Sequence, residues 1–197
     1  MSLRYDDAKR TLSCSVRDLV ELGFRTGHLQ LEVVRSQQHR MAEGRAIHQA
    51  WQPERAGEDE AFAAEKLLRT QLGLGNWTVA VHGRVDGLTR EGEQVVSEEV
   101  KAVALDHERL YAATVEDFAS YAAQLEGYLW MVGREWREAA VGRLVLVSVL
   151  DGSRHVLGLE AELDAIDAKI RRWLGRALAV RNDRIDWLAD RREGEVP

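Results

Sequence analysis

A single cysteine, Cys14, is the only thiol in a chain of 197 residues. It excludes an internal disulfide, and it excludes a four-cysteine zinc or iron–sulfur site built within one chain. No apolar run approaches the roughly 18 residues that span a bilayer, so no membrane partner is expected. The opening Met1-Ser2-Leu3-Arg4-Tyr5-Asp6-Asp7 lacks the apolar core of a signal peptide, which makes the cytoplasm the expected compartment. Internal repeats and low-complexity segments are missing, and so is a Gly-x-x-x-x-Gly-Lys-Ser/Thr phosphate loop. There is no excess of positive charge either: a net charge of −6 argues against a protein that coats nucleic acid non-specifically.

What is present suits one domain, residues 1–197, with a substantial core: 45% of residues are hydrophobic and 30% are charged. The acidic excess is local. Residues 51–110 carry twelve acidic and seven basic groups, whereas residues 1–50 carry six and eight.

Periodicity predicts a helix over 13–23, capped by Ser13 or Ser15, with Val16, Leu19, Val20 and Leu22 on one side and Gly23 and Gly27 as its stop. A second helix is expected over 36–51, ending before Pro53, followed by a solvated loop over 55–60. Alanine and leucine over 60–71 predict a short third helix. A valine-rich hairpin then spans about 77–103, with Thr89-Arg90-Glu91-Gly92-Glu93 as its turn. Residues 115–132 carry Phe118, Ala122, Leu125 and Leu129 at helical spacing. Leu144 to Leu150 reads as a buried strand, Asp151-Gly152 as a turn, 154–159 as a strand, and 160–190 as a helix. Trp77, Trp130, Trp173 and Trp187 fit core or interface positions. The expected fold is α/β, a mixed central sheet flanked by helices.

The chemistry concentrates in the hairpin. Asp86 is expected at the end of its first strand, and Glu99-Val100-Lys101 lies on the second. Alternate strand residues share a face, so Glu99 and Lys101 point one way while Val100 points into the core. Two carboxylates and an ammonium at one end of a small sheet suit a hard divalent cation and an attacking water. His48 and the i, i+4 pair Gln124 and Tyr128, with Tyr121 beside them, lie on helices that could reach the same point. Singly, each has a plainer explanation. Glu99 and Lys101 read as a surface pair, Asp86-Gly87 as a turn opener, His48 as a core histidine bonded to a carbonyl, and Gln124 and Tyr128 as helix-surface groups.

As an ordered set, Gly44 to His48, Gly83-Arg84-Val85-Asp86-Gly87, Glu99-Val100-Lys101 and Gln124 to Tyr128 resemble the RecB-type branch of the PD-(D/E)XK nucleases. Ser13 to Val20 and Arg25-Thr26-Gly27-His28-Leu29 look closer still to one subgroup, the nuclease domain at the N-terminus of bacterial helicases resembling DinG and XPD. The resemblance implies a restriction-endonuclease-like core and metal-dependent hydrolysis of DNA, with single-stranded DNA as substrate. It also implies a helicase domain of the same parent chain as partner, in DNA repair or processing, this chain being the excised nuclease domain. Asp86, Glu99 and His48 are implied ligands of Mg²⁺ or Mn²⁺, joined by the Val100 carbonyl. Lys101 is implied to act on the attacking water and on negative charge at phosphorus, and Gln124 and Tyr128 to bond that water or the phosphate. Glu65, placed on the short third helix, is a weaker candidate for a second-metal or outer role. The lone Cys14 departs from relatives that carry a four-cysteine cluster. The alternatives are a non-catalytic DNA-binding or docking module that kept the fold, or an assembly domain whose acidic surface meets a protein.

Overall fold

The computed structural model describes residues 3–24, 34–137, 139–160 and 162–194. The strands are β1 (Arg4–Asp6), β2 (Thr11–Ser15), β3 (Ala63–Leu74), β4 (Trp77–Glu91), β5 (Gln94–Val103), β6 (Ala140–Ser148) and β7 (Arg154–Glu160). The helices are α1 (Val16–Phe24), α2 (Val34–Glu58), α3 (His107–Ala112), α4 (Ala119–Trp136) and α5 (Leu163–Gly194), with a 3-10 turn at Val115–Phe118 before α4. Among the described residues the strands form one mixed sheet ordered β1-β2-β4-β5-β6-β7, and β3 pairs with the other edge of β4. β2 runs parallel to β4 and β5 parallel to β6; the remaining pairs are antiparallel.

Strand alternation sorts the core between the two faces. Leu144 and Leu146 of β6 pack with Leu125 and Leu129 of α4. Their neighbours Val145 and Val147 pack with Val100, Phe62 and Trp51 of α2 on the opposite side. A third cluster joins Val79, Val81 and Val85 of β4 to Leu19 of α1 and to Ile170, Trp173 and Leu174 of α5. None of the described helices is long and apolar enough to cross a membrane.

The helix expected over 60–71 is the strand β3. Its composition favours a helix, yet Leu68, Thr70 and Leu72 are buried while Leu67, Arg69 and Gln71 are exposed, a period of two. Pairing along almost the whole of β4 overrides the local preference. The helix expected from 13 begins at Val16, because residues 11–15 pair with β4. Ser15 caps it: its hydroxyl accepts the Asp18 N–H at 3.1 Å, and the Asp18 carboxylate accepts the Ser15 N–H at 3.0 Å. Gly23 lies within that helix, and Gly27 falls outside the described residues.

The second helix does not stop before Pro53: α2 continues to Glu58 with the proline inside it, so of the loop expected over 55–60 only Asp59 and Glu60 lie outside the helix. An interior proline costs about 3 kcal/mol. Contacts from outside the helix offset that cost. The Arg55 guanidinium donates to both oxygens of Glu98 at 3.1 and 2.9 Å and lies over the Phe62 ring. Trp51 meets Phe62 edge-on, with centroids 5.4 Å apart. Trp77, Trp130 and Trp173 are core residues, whereas Trp187 on α5 is 54% exposed, which leaves it outside the core. The short helix α3 and strands β1 and β2 carry too few residues for a periodic signal.

Candidate active site

β4 changes partners along one edge. Thr78 to His82 pair with β2, and Gly87 to Glu91 pair with β5. Residues 83–86 face the interval between, where the chain has left β2 for α1 and the β4–β5 ladder has ended at Gly87 and Glu98. Asp86 is therefore inside β4, not at its end. What ends there is its backbone pairing, and its side chain replaces the missing partner: Asp86 Oδ2 accepts the Val100 N–H at 2.8 Å.

The glycines on either side of Asp86 exist for close approach. A Cβ on Gly83 would stand 2.6 Å from the Tyr128 ring and 2.9 Å from Val16. One on Gly87 would collide with Phe62 and come within 2.8 Å of Trp51, under the opposite helix layer. Helices on both faces thus press onto β4 around Asp86.

The interval opens as a cleft of about 310 Å³. Asp86, Glu99, Lys101, His48, Gln124 and Tyr128 all line it, so the candidate side chains from α2, β4, β5 and α4 are brought together. Val100 contributes backbone only, since its side chain is buried with Trp51 and Phe62 on the other face. Glu99 is 1% exposed. Its Oε1 accepts from both Lys101 Nζ and Gln124 Nε2, and the Gln124 amide also reaches the Tyr128 hydroxyl at 3.3 Å. Its Oε2 has no partner; with Ser97 Oγ it is one of two such buried side-chain atoms among the described residues.

Burial dominates the electrostatics. Desolvation pushes Glu99 up to about 7; Lys101 opposes the rise and Asp86 adds to it. Burial likewise raises Asp86, against the pull of His48, the Val100 N–H and Lys101. The Tyr128 hydroxyl is pushed up by burial and by Glu99, which keeps it neutral and able to donate.

His48 is not the carbonyl-bonded core histidine of the plainer reading. Its Nδ1 stands 3.5 Å from Asp86 Oδ1. Glu65, expected on a helix, is on β3 directly across from Asp86, where the β3–β4 ladder skips one pair and Glu65 takes φ of 53°. One ligand atom each from His48, Glu65 and Asp86 lie within 4.8 Å of one another. Glu99 is outside that trio, held instead by Lys101 and Gln124. Glu65 is tethered by Gln52 at 3.0 Å and Arg84 at 3.3 Å.

Beyond the expected side chains and the motif residues Gly83 and Arg84, the cleft is lined by Ser15, Val16 and Arg17 at the junction of β2 and α1. The signal that could have found them is the Ser15-x-x-Asp18 capping pattern, which fixes the helix start at Val16 and places Arg17 on its first turn.

No family model matches the chain, and no curated protein does. Among solved structures, the crystal structure of SSO0001 superposes with a TM-score of 0.59 at 19% identity, covering 86% of this chain and 76% of that one. A phage-related exonuclease from Haemophilus somnus 129PT superposes with a TM-score of 0.50 at 14% identity, covering 88% and 82%. The mixed sheet flanked by helices is a restriction-endonuclease-like core, as the sequence led one to expect.

Proposed function

We propose that this chain is a divalent-metal-dependent nuclease of the RecB-type PD-(D/E)XK kind, hydrolysing phosphodiester bonds in DNA. The observation that carries the reading is Glu99, a fully buried carboxylate with one oxygen unpartnered, beside a second buried carboxylate, Asp86, in an open cleft. Two desolvated carboxylates side by side are unfavourable unless one takes up a proton or a cation joins them. The donor set fits one. Oxygens of Asp86 and Glu99 and the Val100 carbonyl would suit Mg²⁺, and the imidazole of His48 favours Mn²⁺. Glu65 stands where an additional oxygen donor would serve. Such a cation, when bound, supplies Lewis acidity toward the phosphoryl oxygens and the attacking water.

The side chains supply the rest. Lys101, fixed on Glu99, holds positive charge where negative charge grows as water adds to phosphorus. Water adds, the bond from phosphorus to one sugar oxygen breaks, and that oxygen leaves with a proton. Gln124 braces Glu99 and the Tyr128 hydroxyl, and the two together orient the water or the phosphate. The likeness in fold to a phage-related exonuclease supports this reading. On the sequence resemblance, the substrate is single-stranded DNA, and the chain is the nuclease domain of a cytoplasmic DinG/XPD-like helicase acting in DNA repair.

The test is a cleavage assay on labelled single- and double-stranded DNA with Mn²⁺, Mg²⁺ or chelator, comparing the wild type with Lys101→Ala. Metal-dependent cleavage lost in the variant is expected. Cleavage that survives chelator, or is untouched by the substitution, refutes the mechanism.

A further inference from the structure

We infer that a single DNA strand leaves the cleft along a groove between the end of β5 and the start of α4, with an unstacked base resting on the Phe118–Tyr121 ring pair. This inference rests on the nuclease reading of the cleft and adds a strand path to it.

Three hollows adjoin. The cleft shares Arg17, His48, Lys101 and Gln124 with a second hollow of about 570 Å³. That one shares Ala102, Ser120 and Tyr121 with a third of about 680 Å³, which ends at Phe118 and Arg109. The floor is the apolar run Ala102 to Ala104.

The walls carry the chemistry of a single strand. Phe118 and Tyr121 are half-buried, their rings parallel to within 9° and 5.9 Å apart. Lys101 Nζ lies 5.4 Å from the centre of the Tyr121 ring, so the cation at the cleft and the first aromatic surface adjoin, as phosphate and base do in a nucleotide. Exposed Arg17 and Arg109 mark the two ends. Two acidic residues, Glu21 and Asp117, lie on the walls; Asp117 is engaged by the Thr114 N–H and hydroxyl at 2.9 and 3.1 Å, and Glu21 is not free either.

Gly44 adds a separate observation. It lines the second hollow from α2, and a Cβ there would meet nothing within 4 Å. A glycine within a helix is unfavourable relative to alanine, and no packing among the described residues accounts for this one. Bare backbone on the groove wall leaves room for a ligand. A base can lie on a protein ring only when it is free of its own stack, so the groove selects single strands over duplex.

The experiment measures binding of fluorescein-labelled oligodeoxythymidylates of graded length by anisotropy, with Ca²⁺ in place of the catalytic cation, alongside kcat/KM on the same strands with Mn²⁺. For the wild type, affinity is expected to rise with length and then level off, and a duplex of equal length to bind more weakly. Phe118→Ala is expected to lower the affinity for the long strand roughly 10-fold or more, and Phe118→Trp to retain it. Gly44→Leu, which adds bulk to the groove while improving helix propensity, is expected to lower long-strand affinity with no loss of thermal stability. If no metal supports cleavage but the Phe118-sensitive length dependence persists, the groove stands and the nuclease reading fails. If cleavage is robust but both Phe118→Ala and Gly44→Leu leave strand binding and kcat/KM unchanged, or if duplex binds as tightly as single strand, the groove is refuted and the nuclease reading survives.

Discussion

Replacing Glu99 by glutamine is expected to stabilise the metal-free protein at alkaline pH while abolishing its response to metal. Glu99 is raised by burial from the ordinary 4.5 to about 7, a gap worth about 3 kcal/mol at roughly 1.4 kcal/mol per pH unit. Because the folded value is the higher one, the proton on Glu99 contributes stability that is fully present below about pH 4.5 and lost as the pH rises through about 7. Glutamine keeps the shape and stays neutral, so the variant does not incur that loss. Asp86, also raised by burial, repels Glu99, and the loss of their mutual repulsion in the variant acts in the same direction. The two proteins should therefore be similar in stability at pH 5, and the variant should be the more stable by about 3 kcal/mol at pH 8. In a chain of this size that corresponds to roughly 6–12 °C in Tm. Thermal or urea denaturation in EDTA at the two pH values measures the difference directly. Adding millimolar Mn²⁺ at pH 8 should then raise the Tm of the wild type and leave that of Glu99→Gln unmoved. A wild type at least as stable as Glu99→Gln at pH 8 in EDTA would show that the buried carboxylate is not the frustrated group the structure describes.

Four other substitutions probe the surrounding framework. Arg55→Ala leaves the buried Glu98 carboxylate with only Arg143, 3.5 Å away, and should cost about 3 kcal/mol in urea denaturation, part of it recovered when Glu98→Gln is added. Gly83→Ala forces a Cβ to 2.6 Å from Tyr128 and should destabilise by roughly 1–3 kcal/mol in the same assay. Lys101→Ala should lower kcat by about 100-fold or more while the Mn²⁺-induced shift in Tm remains, since its ammonium is not a ligand. Glu65→Gln should weaken Mn²⁺ affinity in calorimetric titration while changing stability by less than about 0.5 kcal/mol, because its side chain is exposed.

The long periodic segments were legible in the sequence. The β4–β5 hairpin, α4, the β6–β7 pair and α5 follow from apolar spacing and from turn signals such as Asp151-Gly152, where Gly152 takes φ of 75°. The ordered motifs likewise pointed to one place, and His48, Asp86, Glu99, Lys101, Gln124 and Tyr128 do line a single cleft. What was not legible depends on partners distant in sequence. β3 is a strand because β4 pairs with it, against its own alanine and leucine. α2 runs through Pro53 because Glu98, 43 residues beyond Arg55, anchors its last turn. Asp86 reads locally as a strand-end residue, since nothing in the local sequence reveals that β4 exchanges β2 for β5 along one edge. That exchange opens the cleft and also brings in Ser15 and Arg17.

The most direct test is calorimetric titration of Mn²⁺ into the metal-free protein, repeated with Asp86→Asn and His48→Ala. Saturable binding by the wild type, lost in Asp86→Asn and weakened in His48→Ala, is the expected result. Binding of equal strength in all three proteins, or none in the wild type, would contradict the assignment of this cleft as a cation site.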